Sequence, residues 1–366
     1  MSCDFVALSN PGVQALQPYQ AGKPAEELER ELGIRDIVKL ASNENPLGPS
    51  SAAISAVQSV LSGLTRYPDS NGYYLKQALS QRFNLAANQL TLGNGSNDLL
   101  ELVARAFLRE GVEAVYSEYA FIVYPLVVKA CGATGVRVPA RDYGHDLDAM
   151  ADAVTANTRV IFIANPNNPT GTCLTSQAFK RFMARIPEQV LVVLDEAYSE
   201  YTDQADTPDG LALTATYNNL IVTRTFSKAY GLAALRVGFA VANPVVTDLL
   251  NRVRQPFNVS SVAQAAAMAA LADREYLART VSLNRQGLKQ MQAGLVALEV
   301  SYIPSVANFI TIDCEQDALL VYQALLEQGV IVRPLGVYAM PQHLRVTLGT
   351  ETENQRFLDA LKKVIA

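Results

Sequence analysis

One lysine stands among hydroxyls, a glycine and an arginine in the segment Thr223-Arg-Thr-Phe-Ser-Lys-Ala-Tyr-Gly-Leu-Ala-Ala-Leu-Arg236. Thr225 and Ser227 can donate hydrogen bonds to a phosphate, Arg236 can clamp one with a planar fork, and Gly231 lets the backbone turn closely beside it. Lys228 is left for chemistry. A lysine amine becomes a nucleophile where burial and nearby cations such as Arg236 disfavour its ammonium form, and the obvious use is an imine with a carbonyl. A cofactor carrying both an aldehyde and a phosphate would engage the whole segment, and pyridoxal 5′-phosphate is the common one. The competing reading is a lysine and an arginine on a polar surface loop.

Other stretches carry complementary groups. Gly93-Asn-Gly-Ser-Asn-Asp98 opens an apolar helix, so Gly95, Ser96 and Asn97 would offer free N–H groups and the positive end of a helix dipole to a phosphate. Asp98 stands where a dinucleotide fingerprint needs its third glycine, which disfavours NAD. The rigid loop Asn165-Pro-Asn-Asn-Pro-Thr-Gly171 follows a buried strand and would fix Asn168 as an amide donor. Asp195, ending another apolar strand, needs a cationic partner. That partner is either an arginine such as Arg224 or a protonated pyridine nitrogen, with Tyr198 beside the ring hydroxyl. Tyr119, Phe121 and Tyr124 have the spacing of core aromatics, although one of them could stack on a planar ring. Tyr67, an aromatic hydroxyl in a loop, reads by position as a packing residue.

The elements that must hold these groups read as an α/β pattern. Apolar strands near residues 160, 190 and 220, separated by helical segments, predict a mostly parallel sheet with crossover helices. Further strands are expected at 37–41, 90–92, 114–116, 136–139, 237–241, 308–313, 330–333 and 344–348. Helices are expected at 24–32, 50–61, 73–83, 99–107, 245–272 with a break at 256–258, 275–298, 317–328 and 354–365. The domain division predicted is an N-terminal arm with part of a small domain (1–44), a large cofactor-binding domain (45–272) and a small C-terminal α+β domain (273–366).

Composition narrows the function classes. Among 366 residues, 18% are charged and the net charge is -5, without a block of like charge, so there is no electrostatic footprint for nucleic acid or an anionic membrane. Two histidines, His145 and His343, and four scattered cysteines leave almost nothing from which to build a metal cluster or a serine protease triad. No apolar run approaches the roughly 18 residues of a membrane span. A cytoplasmic protein with reduced thiols is expected.

The Asn165–Gly171 loop, Asp195-Glu-Ala-Tyr198 and Thr225-Phe-Ser-Lys228 through Arg236 resemble the fold type I pyridoxal-phosphate aminotransferases. Leu16-Gln-Pro-Tyr19, Ser42-Asn-Glu-Asn-Pro-Leu-Gly-Pro49, Arg66-Tyr-Pro-Asp69, Gly93-Asn-Gly-Ser96 and His343-Leu-Arg-Val-Thr-Leu-Gly349 are most similar to the histidinol-phosphate aminotransferase family, over essentially the whole chain. The resemblance implies that Lys228, Asp195 and Tyr198 are catalytic. By the same resemblance Gly95, Ser96, Asn97, Phe121, Asn168, Thr225, Ser227 and Arg236 hold the cofactor. Phe121 would stack on the ring where many relatives carry tyrosine, with Tyr119 as the alternative. Tyr67 would reach the cofactor phosphate of the neighbouring subunit, implying a homodimer with shared sites. Tyr19, Asn45, Arg333 and Arg345 would surround the substrates. The implied reaction interconverts histidinol phosphate and 2-oxoglutarate with imidazole acetol phosphate and glutamate, in histidine biosynthesis. The alternatives are an aromatic amino-acid aminotransferase of the same fold and a non-catalytic ligand-binding protein.

Overall fold

The uninterrupted Val, Ile and Leu content of three runs suits strands covered on both faces. Thr158–Ala164, Leu191–Asp195 and Leu220–Thr225 form adjacent parallel strands. The structure is a computed structural model and describes residues 3–14, 16–18, 22–202 and 206–365. Four more strands complete a seven-stranded sheet. In spatial order it runs Leu90–Gly93, Gly238–Val241, Leu220–Thr225, Leu191–Asp195, Thr158–Ala164, Glu113–Ser117 and Thr134–Val138. Gly238–Val241 is antiparallel to both of its neighbours, and the other pairings are parallel. The fold class is therefore the α/β architecture expected from the sequence.

Helices cover both faces of this sheet. On one face, Ser51–Val60, Tyr73–Phe83, Ser176–Met183 and Ser261–Ala272 contribute Ala53, Leu75, Phe179 and Ala266, among others, to a continuous core. Alanine at 263, 266, 267 and 270 lets the Ser261–Ala272 helix approach its neighbours closely. On the opposite face, Ser96–Phe107, Val123–Ala130 and Pro244–Val253 bury Leu99, Val103, Tyr124 and Leu250 against the strands.

A second, antiparallel sheet orders Arg333–Pro334, His343–Thr347, Phe309–Asp313 and Tyr302–Ile303. Its apolar face packs on the helices Arg274–Ala297, Ala318–Glu327 and Glu351–Ile365. The expected strand at 330–333 is divided between two sheets. Val330–Ile331 pairs in parallel with Val38–Lys39, whereas Arg333–Pro334 joins His343–Thr347. Pro334 has no N–H with which to extend the ladder. The two-residue strand Tyr302–Ile303 is too short to carry a sequence period, and the helix Leu147–Asp152 is absent from the sequence expectations, whereas Ser176–Met183 is a helical segment of the kind expected between the strands near 160 and 190.

One expected pairing is redirected. Arg224, a candidate partner for Asp195, donates from Nε at 2.9 Å and Nη2 at 2.7 Å to Glu196 Oε2, and the Gly210 amide donates to Glu196 Oε1 at 2.9 Å. Glu196 is the first residue past the end of that strand, its amide still donating to the Thr223 carbonyl, and the turn away from Asp195 takes its side chain toward Arg224. The pair is buried, so removing one partner leaves an uncompensated charge. The Arg224→Met protein is expected to lose about 3–5 kcal/mol of stability, measured by urea denaturation of the apo form. The Glu196→Gln/Arg224→Met double variant is expected to recover part of that loss.

Candidate active site

The carboxyl ends of the parallel strands at Ala164, Asp195 and Thr225 open onto a cavity of about 180 Å³, several times the volume of one water. Ligands in open α/β sheets bind at this edge. The antiparallel sheet forms the opposite wall and brings Arg333 and Arg345 to the same space, with Tyr338 from the turn between their strands.

One end of the cavity is built for an anion. Ser96 and Asn97 line it at the start of the twelve-residue helix Ser96–Phe107, whose N-cap, Gly95, provides no side-chain cap. The first amides of that helix are thus free of a side-chain cap, at the positive end of its dipole. Across from them, Thr225 donates to Ser227 Oγ at 3.0 Å, and Arg236 Nη1 donates to the same oxygen at 3.2 Å. Gly95 has φ of +83°, which L side chains rarely adopt, and a Cβ there would press on the Arg236 guanidinium where it now lies. Asp98 does not reach into the cavity. It accepts from the Asn94 amide at 2.7 Å and from Asn258 Nδ2 at 2.9 Å, bracing the turn from behind.

At the centre are a carboxylate and an amine. Asp195 is buried, and among the described residues no cation lies within ion-pair distance of it. It accepts from Thr223 Oγ1 at 3.0 Å and from the Tyr124 hydroxyl at 3.0 Å. Burial pushes its carboxyl up to about 6, against the opposing pull of those two hydrogen bonds. Lys228 Nζ donates to the Ser42 carbonyl at 3.0 Å and lies 5.8 Å from the centre of the Tyr198 ring. Burial lowers its amine to about 7, with further lowering by Arg345 and then Arg236. The stronger of the two cationic influences comes from Arg345, which lies more than 100 positions away in the chain.

The antiparallel wall explains why two arginines converge. Arg333 and Arg345 are register partners, so their side chains share one face of the sheet. Arg345 is buried and donates to Asn168 Oδ1 at 2.6 Å and to the Ala41 carbonyl at 2.9 Å, with its Cζ 5.4 Å from the Phe309 ring centre. No carboxylate pairs with it among the described residues, and its Nε is buried without a partner. The loop carrying Asn168 is held from both sides. Asn167 Nδ2 donates to the Tyr119 carbonyl at 2.9 Å, and Thr311 Oγ1 donates to the Pro169 carbonyl at 2.6 Å.

The cavity thus gathers Ser96, Asn97, Phe121, Asn168, Asp195, Tyr198, Thr225, Ser227, Lys228, Arg236, Arg333 and Arg345 from the residues singled out in the sequence. Between the two candidate stacking aromatics, Phe121 lines the cavity, whereas Tyr119 packs with Ile122 beside Tyr338 and lies 5.9 Å from Tyr143. Asn45 is not brought there. Its amide donates to the Ala229 carbonyl, Tyr276 and Thr280, joining the Ser42–Pro49 turn to the long helix Arg274–Ala297. Asn43 occupies the position instead, donating to the Tyr198 hydroxyl at 2.9 Å while its backbone N–H donates to Thr347 Oγ1. Tyr67 also lies away from the cavity of its own chain. It is 82% exposed and stacked on Phe257 at 4.6 Å. Tyr19 lies outside the described residues. Sequence reasoning missed roles for Asn43, Thr223, Tyr338 and Tyr124; Asn43, Thr223 and Tyr124 lie inside segments it singled out, but their partners, Tyr198 for the first and Asp195 for the other two, are brought to them only by the fold.

The family model of aminotransferase class I and II matches residues 35–361. The chain is 59% identical to histidinol-phosphate aminotransferase 2 of Pseudomonas fluorescens, covering 100% of both chains, and 58% identical to that of Pseudomonas aeruginosa, covering 99% of each. Among solved structures, histidinol-phosphate aminotransferase from Sinorhizobium meliloti in complex with pyridoxal 5′-phosphate superposes with a TM-score of 0.89 at 29% identity, covering 98% of this chain and 97% of that one. Aspartate aminotransferase from Thermus thermophilus with maleate shares the fold at a TM-score of 0.84 and 22% identity, covering 97% and 99%. With its lysine on the loop after the strand Leu220–Thr225, its buried aspartate and its full-length likeness to these proteins, the chain belongs to the class I and II aminotransferase family.

Proposed function

We propose that this protein is a pyridoxal-phosphate-dependent aminotransferase that interconverts histidinol phosphate and 2-oxoglutarate with imidazole acetol phosphate and glutamate, a step of histidine biosynthesis. The observation that carries the reading is a cavity in which, among the described residues, Asp195 has no cation and Arg345 no anion, while the amine of Lys228 is lowered to about 7. Leaving such charges buried is costly unless a ligand completes them. The donor set fits the cofactor: hydroxyls, a guanidinium and a helix N-terminus for its phosphate, an acceptor for its ring nitrogen and an amine for its aldehyde.

When bound, pyridoxal 5′-phosphate supplies a carbonyl and an electron-accepting ring, which allow an amino group to pass between two substrates. Ser96, Thr225, Ser227 and Arg236 bind the phosphate, with the Gly95 and Asn97 backbone at the helix start. Asp195 holds a proton on the ring nitrogen, and Asn168 and Tyr198 hold the ring hydroxyl. Phe121 fixes the ring plane. Lys228 Nζ takes the proton that leaves the substrate Cα and returns it on the other side of the reaction. Arg345 binds the carboxylate of glutamate and, with Arg333 beside it, the phosphate of the other substrate, since a planar guanidinium suits both anions.

A homodimer in a cytoplasmic setting belongs to the same proposal. Ile54, Leu61, Leu64, Tyr67, Tyr74 and Phe257 are exposed, which supports a second copy covering this face and receiving Tyr67 at its cofactor phosphate. The four cysteines are free thiols, which supports a reducing compartment. The division at residues 44 and 272 into a large and a small domain is supported by the separate apolar clusters of the two main sheets.

Steady-state assays and the kinetics of cofactor capture test this reading. In steady-state assays the wild type is expected to prefer histidinol phosphate to phenylalanine as amino donor to 2-oxoglutarate by at least about 100-fold in kcat/KM. Lys228→Ala is expected to abolish the reaction, and a preference for phenylalanine or near-wild-type activity of the variant would overturn the assignment. The rate at which apo protein captures the cofactor covalently is expected to rise with pH through about 7, because only the neutral amine attacks. Arg345→Gln removes the strongest cationic influence on Lys228, so its midpoint is expected to move to higher pH.

A further inference from the structure

The turn that carries Phe121 also carries a phenol aimed at the buried carboxylate. Tyr124 sits in the first turn of the helix Val123–Ala130, its amide donating to the Phe121 carbonyl at 3.0 Å. It is fully buried. Its ring stacks on Phe162 with centroids 5.0 Å apart at 13°, and meets Phe121 edge-on at 5.8 Å and 90°. Packing on two sides leaves the hydroxyl one direction, toward Asp195 Oδ2 at 3.0 Å, while Thr223 takes Oδ1.

Resting on the cofactor reading above, we propose that Tyr124 is a positioning residue. Its phenol, fixed by Phe162 and Phe121, holds the Asp195 carboxylate in place as the acceptor for the ring nitrogen of the cofactor. A salt bridge to an arginine would hold the carboxylate equally well but would leave no cationic vacancy for a pyridinium. A neutral donor orients the group without spending its charge. Burial pushes the phenol well above its ordinary range, so it stays a donor. The same hydrogen bond opposes the burial that raises Asp195. The other groups facing Asp195 do not replace it. Glu196, its neighbour in the chain, is paired with Arg224; Tyr198 donates no bond to it; His145, bonded to the Ala164 carbonyl on the adjacent strand, is lowered to about 4 and neutral. Lys228 and Arg345 share the cavity without pairing with it.

The sign of the effect follows. Without the Tyr124 hydroxyl, Asp195 becomes protonated at a higher pH, and a protonated carboxyl no longer favours a pyridinium. The defect of Tyr124→Phe is therefore largest at low pH and shrinks as pH rises. The probe is pyridoxamine 5′-phosphate, which forms no covalent bond with Lys228, titrated calorimetrically into full-length apo protein from pH 6 to 8.5. Tyr124→Phe is expected to bind about tenfold more weakly than wild type at pH 6 and within about twofold at pH 8.5. A loss of equal size at every pH, or no loss, overturns the assignment. Should the variant fail to fold, 3-fluorotyrosine at position 124 keeps the ring and is a stronger donor. Tighter binding at pH 6 is expected for that protein, and unchanged or weaker binding contradicts the proposal. Absence of binding by the wild type would overturn the cofactor reading itself, which separates the two failures.

Discussion

A carboxylate buried at the end of a central strand, with no cation beside it among the described residues, is the constraint on which the rest of the site depends. Asp195 is surrounded by two neutral donors, and the neighbouring arginine, Arg224, is already committed to Glu196. Two adjacent acidic residues, at and just past the end of one strand, thus have different partners, Glu196 being completed by the protein and Asp195 left open. An ionised group in that position is tolerated when a ligand cation completes it. The same logic holds for Arg345, whose guanidinium is buried against an amide, a carbonyl and an aromatic ring without an anion. The cavity carries charges that its own side chains do not neutralise, and this makes it selective for a ligand with the opposite pattern.

That arrangement needs both sheets. The parallel sheet delivers Asp195, Thr225 and the Asn168 loop at its carboxyl edge, and the antiparallel sheet delivers Arg333 and Arg345 as cross-strand neighbours. The loop between them is held by hydrogen bonds to each side, from Asn167 to Tyr119 and from Thr311 to Pro169. Amine, carboxylate and guanidinium therefore take their relative positions from the packing of the two sheets rather than from any local motif. Lys228 illustrates the point: burial is the largest cause of its lowered amine, and Arg345 from the second sheet follows.

Much of this was legible in the sequence, and the exceptions have physical reasons. The strands of the parallel sheet were readable because strands buried on both faces are continuous apolar runs, and the phosphate end was readable because glycine and hydroxyl residues serve it locally. Contacts made across the sheets were not readable. Asn43 and Asn45 lie two residues apart in one turn, and nothing in their spacing says which faces the cavity; the choice is made by Thr347 and Tyr276 far along the chain. The convergence of Arg333 and Arg345 depends on strand register. Tyr124 looked like a core aromatic, and by packing it is one; its hydroxyl gains a second role only because helix and strand bring it to Asp195. The turn at Tyr67 reads as packing within one chain, where it rests on Phe257.

The central claim is that one amine, on the loop after the strand Leu220–Thr225, is the attachment point for the cofactor. Borohydride reduction of the protein saturated with pyridoxal 5′-phosphate, followed by peptide mapping, tests it most directly. The account predicts one labelled peptide, with the label on Lys228; a label on another lysine, or none, would contradict it.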